Sequence, residues 1–203
     1  VRDGGIEVGL VAGRKGSGKT AIFFMVRNSF RDQKNSVSDL RPESHQLSLF
    51  KNELIKMVDA GAFDHTIAGF WYFLVLSEVL LSLKREIAFR ARHKPELYKE
   101  VEEMERELAR FGISERGDFT ARIDRLSTYV IEEIKRAKQT KERVTPEKLT
   151  NIVYRGGVAD AKRLVIRHAA RFEHIVFLFD NIDKGWATNG VDEMDVRLVR
   201  FAS

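Results

Sequence analysis

The 203-residue chain contains no cysteine. Disulfides, thiolate metal sites and cysteine nucleophiles are therefore excluded, and a reducing compartment is allowed without being required. Residues 1–5, VRDGG, are too short and too polar to supply the apolar part of a secretory signal, so the cytoplasm is the expected compartment. The most apolar run is residues 67–83, IAGFWYFLVLSEVLLSL, with Glu78 as its one charge. A bilayer-spanning helix needs about 20 apolar residues, and a carboxylate at its centre costs about 3 kcal/mol. A membrane is therefore not an expected partner, and the run reads as a helix buried on most of its sides. Charge of one sign is also scarce. Thirty-five lysines and arginines face 30 aspartates and glutamates, and the net charge of +5 permits an acidic or nucleic-acid partner without demanding one.

What the chain does have is residues 8–24, VGLVAGRKGSGKTAIFF. Gly13, Gly18, Lys19 and Thr20 fit the spacing G-x-x-x-x-G-K-[ST], with Arg14, Lys15, Gly16 and Ser17 in the variable positions. Residues 6–12 read as a buried strand and 21–30 as a helix, which is the setting a phosphate-binding loop needs. Backbone N–H groups that converge on a polyphosphate require residues without Cβ, and the glycines supply that freedom. The loop feeds a helix whose first amides and positive dipole end favour an anion. Residues Gly13 to Thr20, together with Ala21, are thus the expected phosphate cradle. Lys19 is expected to reach the β- and γ-phosphates, and the Thr20 hydroxyl to take one corner of a Mg²⁺ octahedron. A guanine-reading N-K-x-D string is absent, so ATP is the expected nucleotide.

The second half of the expected site is residues 175–179, IVFLF, five consecutive apolar residues followed by Asp180. They read as a fully buried parallel strand with an acid at its carboxyl tip, where ligands of such sheets bind. Asp180 is expected to hold Mg²⁺ with Thr20, directly or through water. Asn181 follows it and cannot accept a proton. Asp183 or Glu43 could serve as the base that orients attacking water, or the site could have no strong base. The expected catalytic set is Lys19, Asp180 and Asp183, and the consequence is a slow ATPase.

About 160 positions separate the loop from Asp180, against ~30 for a plain βαβ unit. The expected fold is accordingly α/β: a P-loop NTPase core in residues 1–45 and 142–203, with a mainly parallel sheet, and a large helical insertion in 46–141. In the core, residues 33–40 read as a short strand ended by Pro42. In the insertion, residues 46–60 read as an amphipathic helix. Residues 96–111 and 119–137 read as an antiparallel helical hairpin with a coiled-coil seam. Its basic end, Lys135, Arg136, Lys138, Lys141 and Arg143, is either a nucleic-acid contact or a solvated, dipole-matched helix end. Thr145-Pro146 reads as a helix start, with a break at Gly156-Gly157 and a further helix over 158–172 in which His168 is a partly buried residue rather than a ligand. The chain begins just before the loop strand and stops inside a stretch that reads as helix from about residue 192, so it is expected to be part of a longer protein.

The strings GRKGSGKTAIFF, DLRPESHQL, FWYFLVLSE and IVFLFDNIDKGW resemble a bacterial group of P-loop ATPases of the STAND, KAP and AAA+-like kind, some described as DNA-repair ATPases. The resemblance spans nearly the whole chain, and DNIDKGW is its most specific part. It implies that residues 13–20 are a Walker A loop, that Asp180 is the Walker B acid, and that Asn181, Asp183 and Trp186 belong to the signature after it. It implies ATP/ADP as ligand, oligomerisation, and a separate effector or sensor region. The sequence departs from the pattern in showing neither that region nor an identifiable sensor arginine. The expected function is a nucleotide-dependent switch that hydrolyses ATP slowly. The alternatives are a nucleic-acid-dependent ATPase in repair or loading, or a module that binds nucleotide without hydrolysing it.

Overall fold

The structure is a computed structural model that describes residues 11, 14, 16–32, 34–40, 63–113, 119–143 and 145–180. The sheet among them has two strands. β1 (Asn35–Leu40) runs parallel to β2 (His174–Phe179), pairing Asn35 with His174 through to Leu40 with Phe179. Backbone bonds extend the ladder at both ends: Glu173 N–H donates to the Lys34 carbonyl at 2.8 Å, and Asp180 N–H to the Leu40 carbonyl at 3.0 Å. Asp180 is thereby fixed at the carboxyl tip of β2. The apolar residues of β2 are half-buried, where full burial was expected.

Side chains alternate across the ladder, so its two faces meet different helices. On one face Ser36 and Ser38 stand beside Ile175, Phe177 and Phe179. Here lies α2 (Phe63–Ala91), which carries the apolar run. The Ser82 hydroxyl donates to the Val37 carbonyl at 3.0 Å and sits 3.3 Å from that of Ser36, while Trp71 meets Phe179 edge-on at 5.4 Å. The polarity of β1 therefore has a use: two small buried hydroxyl residues let a thick helix approach. On the other face lies α1 (Lys19–Ser29), with Arg27 paired to Asp39 and Phe30 against His174.

α2 is the centre of the core. Phe70, Leu74, Leu80, Leu83 and Ile87 are fully buried, and the helix touches both strands and nearly every other helix. Among the described residues, no helix is long and apolar enough to cross a membrane. A 3₁₀ turn at Pro95–Leu97 leads into α3 (Tyr98–Arg110), and α4 is Phe119–Gln139. The apolar stripes of α3 and α4 are where the heptad spacing puts them, with Met104, Leu108, Leu126, Val130 and Ile134 buried. They do not close on each other as the hairpin expectation had it. α3 packs chiefly on α2, whereas α4 packs on α2 and on the segment Pro146–Val158 that follows it in the chain.

Glu78, the one charge in the apolar run, forms an ion pair with Arg122 of α4. Both are inside, at 14% and 5% exposure, and burial pushes the Arg122 guanidinium down to about 10, still charged at neutral pH. The pair fixes where α4 lies along α2.

α5 (Pro146–Val153) starts as its sequence dictates, the Thr145 hydroxyl accepting from Lys148 N–H at 3.3 Å. The expected break at Gly156-Gly157 is there: the chain kinks at Gly157, whose backbone is not helical, and goes on into α6 (Ala159–Ala169). Gly157 adopts φ 142°, and a Cβ there would lie 2.8 Å from the Phe73 ring, so only glycine serves. At the end of α6, His168 is buried and its Nδ1 donates to Glu100 of α3 at 2.8 Å, and Arg171 grips the same carboxylate. Burial, the largest single influence on Glu100, raises its pKa. The hydrogen bonds and charges of Arg171 and His168 together outweigh it and hold the carboxyl below its usual value. This cluster pins the turn that leads into β2.

Two outcomes follow for stability. Arg122→Ala strands a buried carboxylate and is expected to cost about 3–5 kcal/mol in urea unfolding, whereas Glu78→Leu with Arg122→Met is expected to cost far less. Glu100, with its depressed pKa, contributes stability that is complete above its ordinary value of 4.5 and is lost as pH falls through the lower folded one. Glu100→Gln is expected to be less stable at pH 7 and to lose stability less steeply below about pH 5 in a pH series of unfolding curves.

Candidate phosphate and metal site

The described part of the glycine-rich loop is a tight turn running straight into a helix. Ser17 N–H donates to the Arg14 carbonyl at 3.1 Å, and Gly16 and Gly18 take φ of 86° and 84°. A Cβ built on either glycine meets nothing within 4 Å. The requirement for glycine is therefore the left-handed backbone alone. Gly18 is the N-cap of α1 and has no side chain to offer the first-turn amides, and that turn carries no acid. A helix start with its positive dipole end and no competing carboxylate suits an anion. Lys19 extends back over the turn, its Nζ donating to the Arg14 carbonyl at 3.1 Å, so its ammonium lies over the loop it follows. Arg14, Ser17, Thr20 and Ala21 are exposed, which leaves the loop open to a ligand.

Across this turn stands Asp180. The Thr20 hydroxyl donates to Asp180 Oδ2 at 3.3 Å, joining residues 160 positions apart. The direction of α1 brings this about. Its first turn meets the carboxyl end of β2 through Thr20, and its last residues meet the amino end, where the Phe30 and His174 rings lie 6.1 Å apart. The helix therefore runs antiparallel to the strands over one face of the ladder. Loop amides, lysine, hydroxyl and carboxylate come together at the end of the sheet where its strands point.

The donor set fits a magnesium ion. Magnesium binds oxygen at about 2.1 Å in an octahedron, so neighbouring ligands lie roughly 3.0 Å apart. The measured separation of 3.3 Å between Thr20 Oγ1 and Asp180 Oδ2 is close to that spacing. Among the described residues no three histidine, aspartate or glutamate side chains gather as a metal cage. A phosphate-associated magnesium does not require one, since it keeps waters and takes one or two protein ligands.

Of the expected site residues, the structure brings together Arg14, Gly16, Ser17, Gly18, Lys19, Thr20, Ala21 and Asp180. Gly13, Lys15, Glu43, Asn181, Asp183 and Trp186 lie outside the described residues, as do the helix expected over 46–60 and the loop strand except Val11, which is half exposed where burial was expected. Sequence reading missed Arg27, Asp39, Phe30 and His174, which set how α1 lies on the sheet. The signal for half of them was present, because Thr20, Phe23, Arg27 and Phe30 recur at helical spacing. The chain matches no model of a known protein family, no curated protein and no solved structure.

Because the left-handed φ at Gly18 is the constraint, substitutions there are expected to rank by tolerance of that backbone. Gly18→Asn should retain more affinity for a triphosphate than Gly18→Ala, and Gly18→Val least, measured by calorimetric titration.

Proposed function

We propose that this chain binds ATP with Mg²⁺ between the 13–20 loop and Asp180, and that it hydrolyses the nucleotide slowly as a switch within a larger protein or a homo-oligomer. The observation that carries the reading is the meeting of Thr20 and Asp180 at 3.3 Å. A glycine-lysine-threonine loop alone is a pattern. A hydroxyl and a carboxylate at metal-ligand spacing beside that loop give a place for the metal that accompanies a triphosphate. The same residues support the likeness to P-loop ATPases of the STAND, KAP and AAA+-like kind, and an α/β core of which β1 and β2 are neighbouring parallel strands.

In this reading the loop amides and the start of α1 bind the phosphate oxygens, and Lys19 exchanges the Arg14 carbonyl for the β- and γ-phosphates. Thr20 and Asp180 hold Mg²⁺, which when bound neutralises charge developing on the phosphate oxygens. Orientation of the attacking water falls to Asp183 or Glu43, since Asn181 has no proton-accepting carboxylate. Without a strong base next to Asp180, turnover is slow. The γ-phosphate then acts as a timed order signal for neighbouring segments, released on hydrolysis.

Lys19→Ala is expected to abolish ATP binding or turnover, while Asp180→Ala chiefly removes the Mg²⁺-dependent turnover and leaves measurable nucleotide binding. Equilibrium binding of a fluorescent ATP analogue, with phosphate release from ATP, reads both. Unchanged affinity and turnover in Lys19→Ala would falsify the assignment.

A further inference from the structure

α1 meets the sheet along one narrow stripe. The contacts are made by Thr20, Arg27 and Phe30, and with Phe23 these residues follow at spacings of three, four and three, on one side of the helix. Phe23 is the one buried residue of α1, and Ile22, Phe24 and Met25 are 41%, 37% and 71% exposed. Apolar contact is not directional and does not by itself set where the helix stops along the strands. A slide of one residue is about 1.5 Å, enough to separate Thr20 from Asp180. Between the two ends of the helix, Arg27 Nε lies 3.6 Å from Asp39 Oδ2 of β1, with the two side chains 28% and 24% exposed. The pair is shielded more than an ordinary surface pair and is directional, which apolar contact is not. Asp39 pairs in register with Leu178, two residues before Asp180, so the contact ties α1 to the strand that carries the acid.

We infer that Arg27 is a positioning residue: its ion pair with Asp39 sets where α1 rests along the sheet, and so fixes the Thr20–Asp180 spacing on which the metal requirement of the site depends. Arg27 touches neither nucleotide nor metal. The inference rests on the Mg²⁺–ATP reading for its effect on activity, while its geometric content is independent of that reading.

The absence of cysteine makes the geometry directly measurable. In a chain carrying Thr20→Cys and Asp180→Cys, a one-carbon bis-methanethiosulfonate reagent is expected to crosslink the two positions within the molecule. Adding Arg27→Ala should slow that crosslinking about fivefold, the equivalent of ~1 kcal/mol for a partly shielded pair. Combining Arg27→Asp with Asp39→Arg should restore most of the rate. With native Thr20 and Asp180, Arg27→Ala should raise the Mg²⁺ concentration for half-maximal turnover by a similar factor and leave ATP affinity in EDTA unchanged, and the exchanged pair should again rescue it. Equal crosslinking rates with and without Arg27, or a loss in Arg27→Ala that the exchange does not repair, overturns the role given to Arg27. A parent chain that binds no ATP overturns the nucleotide reading instead, and crosslinking still decides the geometry.

Discussion

Placing a hydroxyl from the first turn of a helix beside a carboxylate at the tip of a strand constrains everything between them. The chain leaves α1, forms β1, crosses the helical layer, and returns in β2 directly beside β1, Asn35 level with His174. Each part of that path has an identifiable cause. The parallel ladder fixes Asp180 by its own backbone N–H. The antiparallel lay of α1 brings its amino end, the end that attracts anions, to the same place. The glycine-rich turn and Asp180 thus occupy one end of the sheet for reasons of chain direction.

The helical layer is organised by α2 rather than by pairing among its neighbours. Small residues on both sides make this possible: Ser36 and Ser38 under one part of the helix, Gly157 against Phe73 in another. Its buried charge, Glu78, is matched by Arg122, which costs desolvation and gives α4 a defined position along an otherwise uniform apolar surface. The Glu100–His168–Arg171 cluster does the same at the other end, holding the α6–β2 turn and hence the origin of the strand that ends in Asp180. The acid of the site is therefore positioned by both the ladder and the helical layer.

Much of this was legible in the residues, for physical reasons that differ from case to case. β2 could be read because a five-residue run of β-branched and aromatic side chains has few other uses. The start of α5 could be read because Thr145-Pro146 both caps and pre-forms a helix. The loop could be read because its glycines answer a backbone demand, and Gly16 and Gly18 do hold left-handed φ. The partner of the α3 and α4 stripes was not legible: a heptad pattern states that one face is apolar and leaves open what covers it, which here is α2 for α3, and α2 with residues 146–158 for α4. The break at Gly156-Gly157 was legible, because two adjacent glycines interrupt a helix, and Gly157 holds a φ that no helix has. Arg27 and Asp39 were overlooked because single charges on a helix and a short strand carry no pattern until the faces are known. At the basic end Lys135, Arg136, Lys141 and Arg143 are exposed, though Arg136 is paired with Glu133 of the same helix, which reduces the charge it presents.

The central claim is that Thr20 and Asp180 serve one metal ion that travels with a triphosphate. A double-mutant cycle on Mn²⁺ affinity in the presence of ATP, followed by the electron paramagnetic resonance of the free ion, tests it most directly. If both side chains bind one ion, Thr20→Val and Asp180→Asn should each weaken binding, and the double variant should be no more than slightly weaker than the worse single one. Fully additive losses, or wild-type affinity in both single variants, would contradict a shared metal.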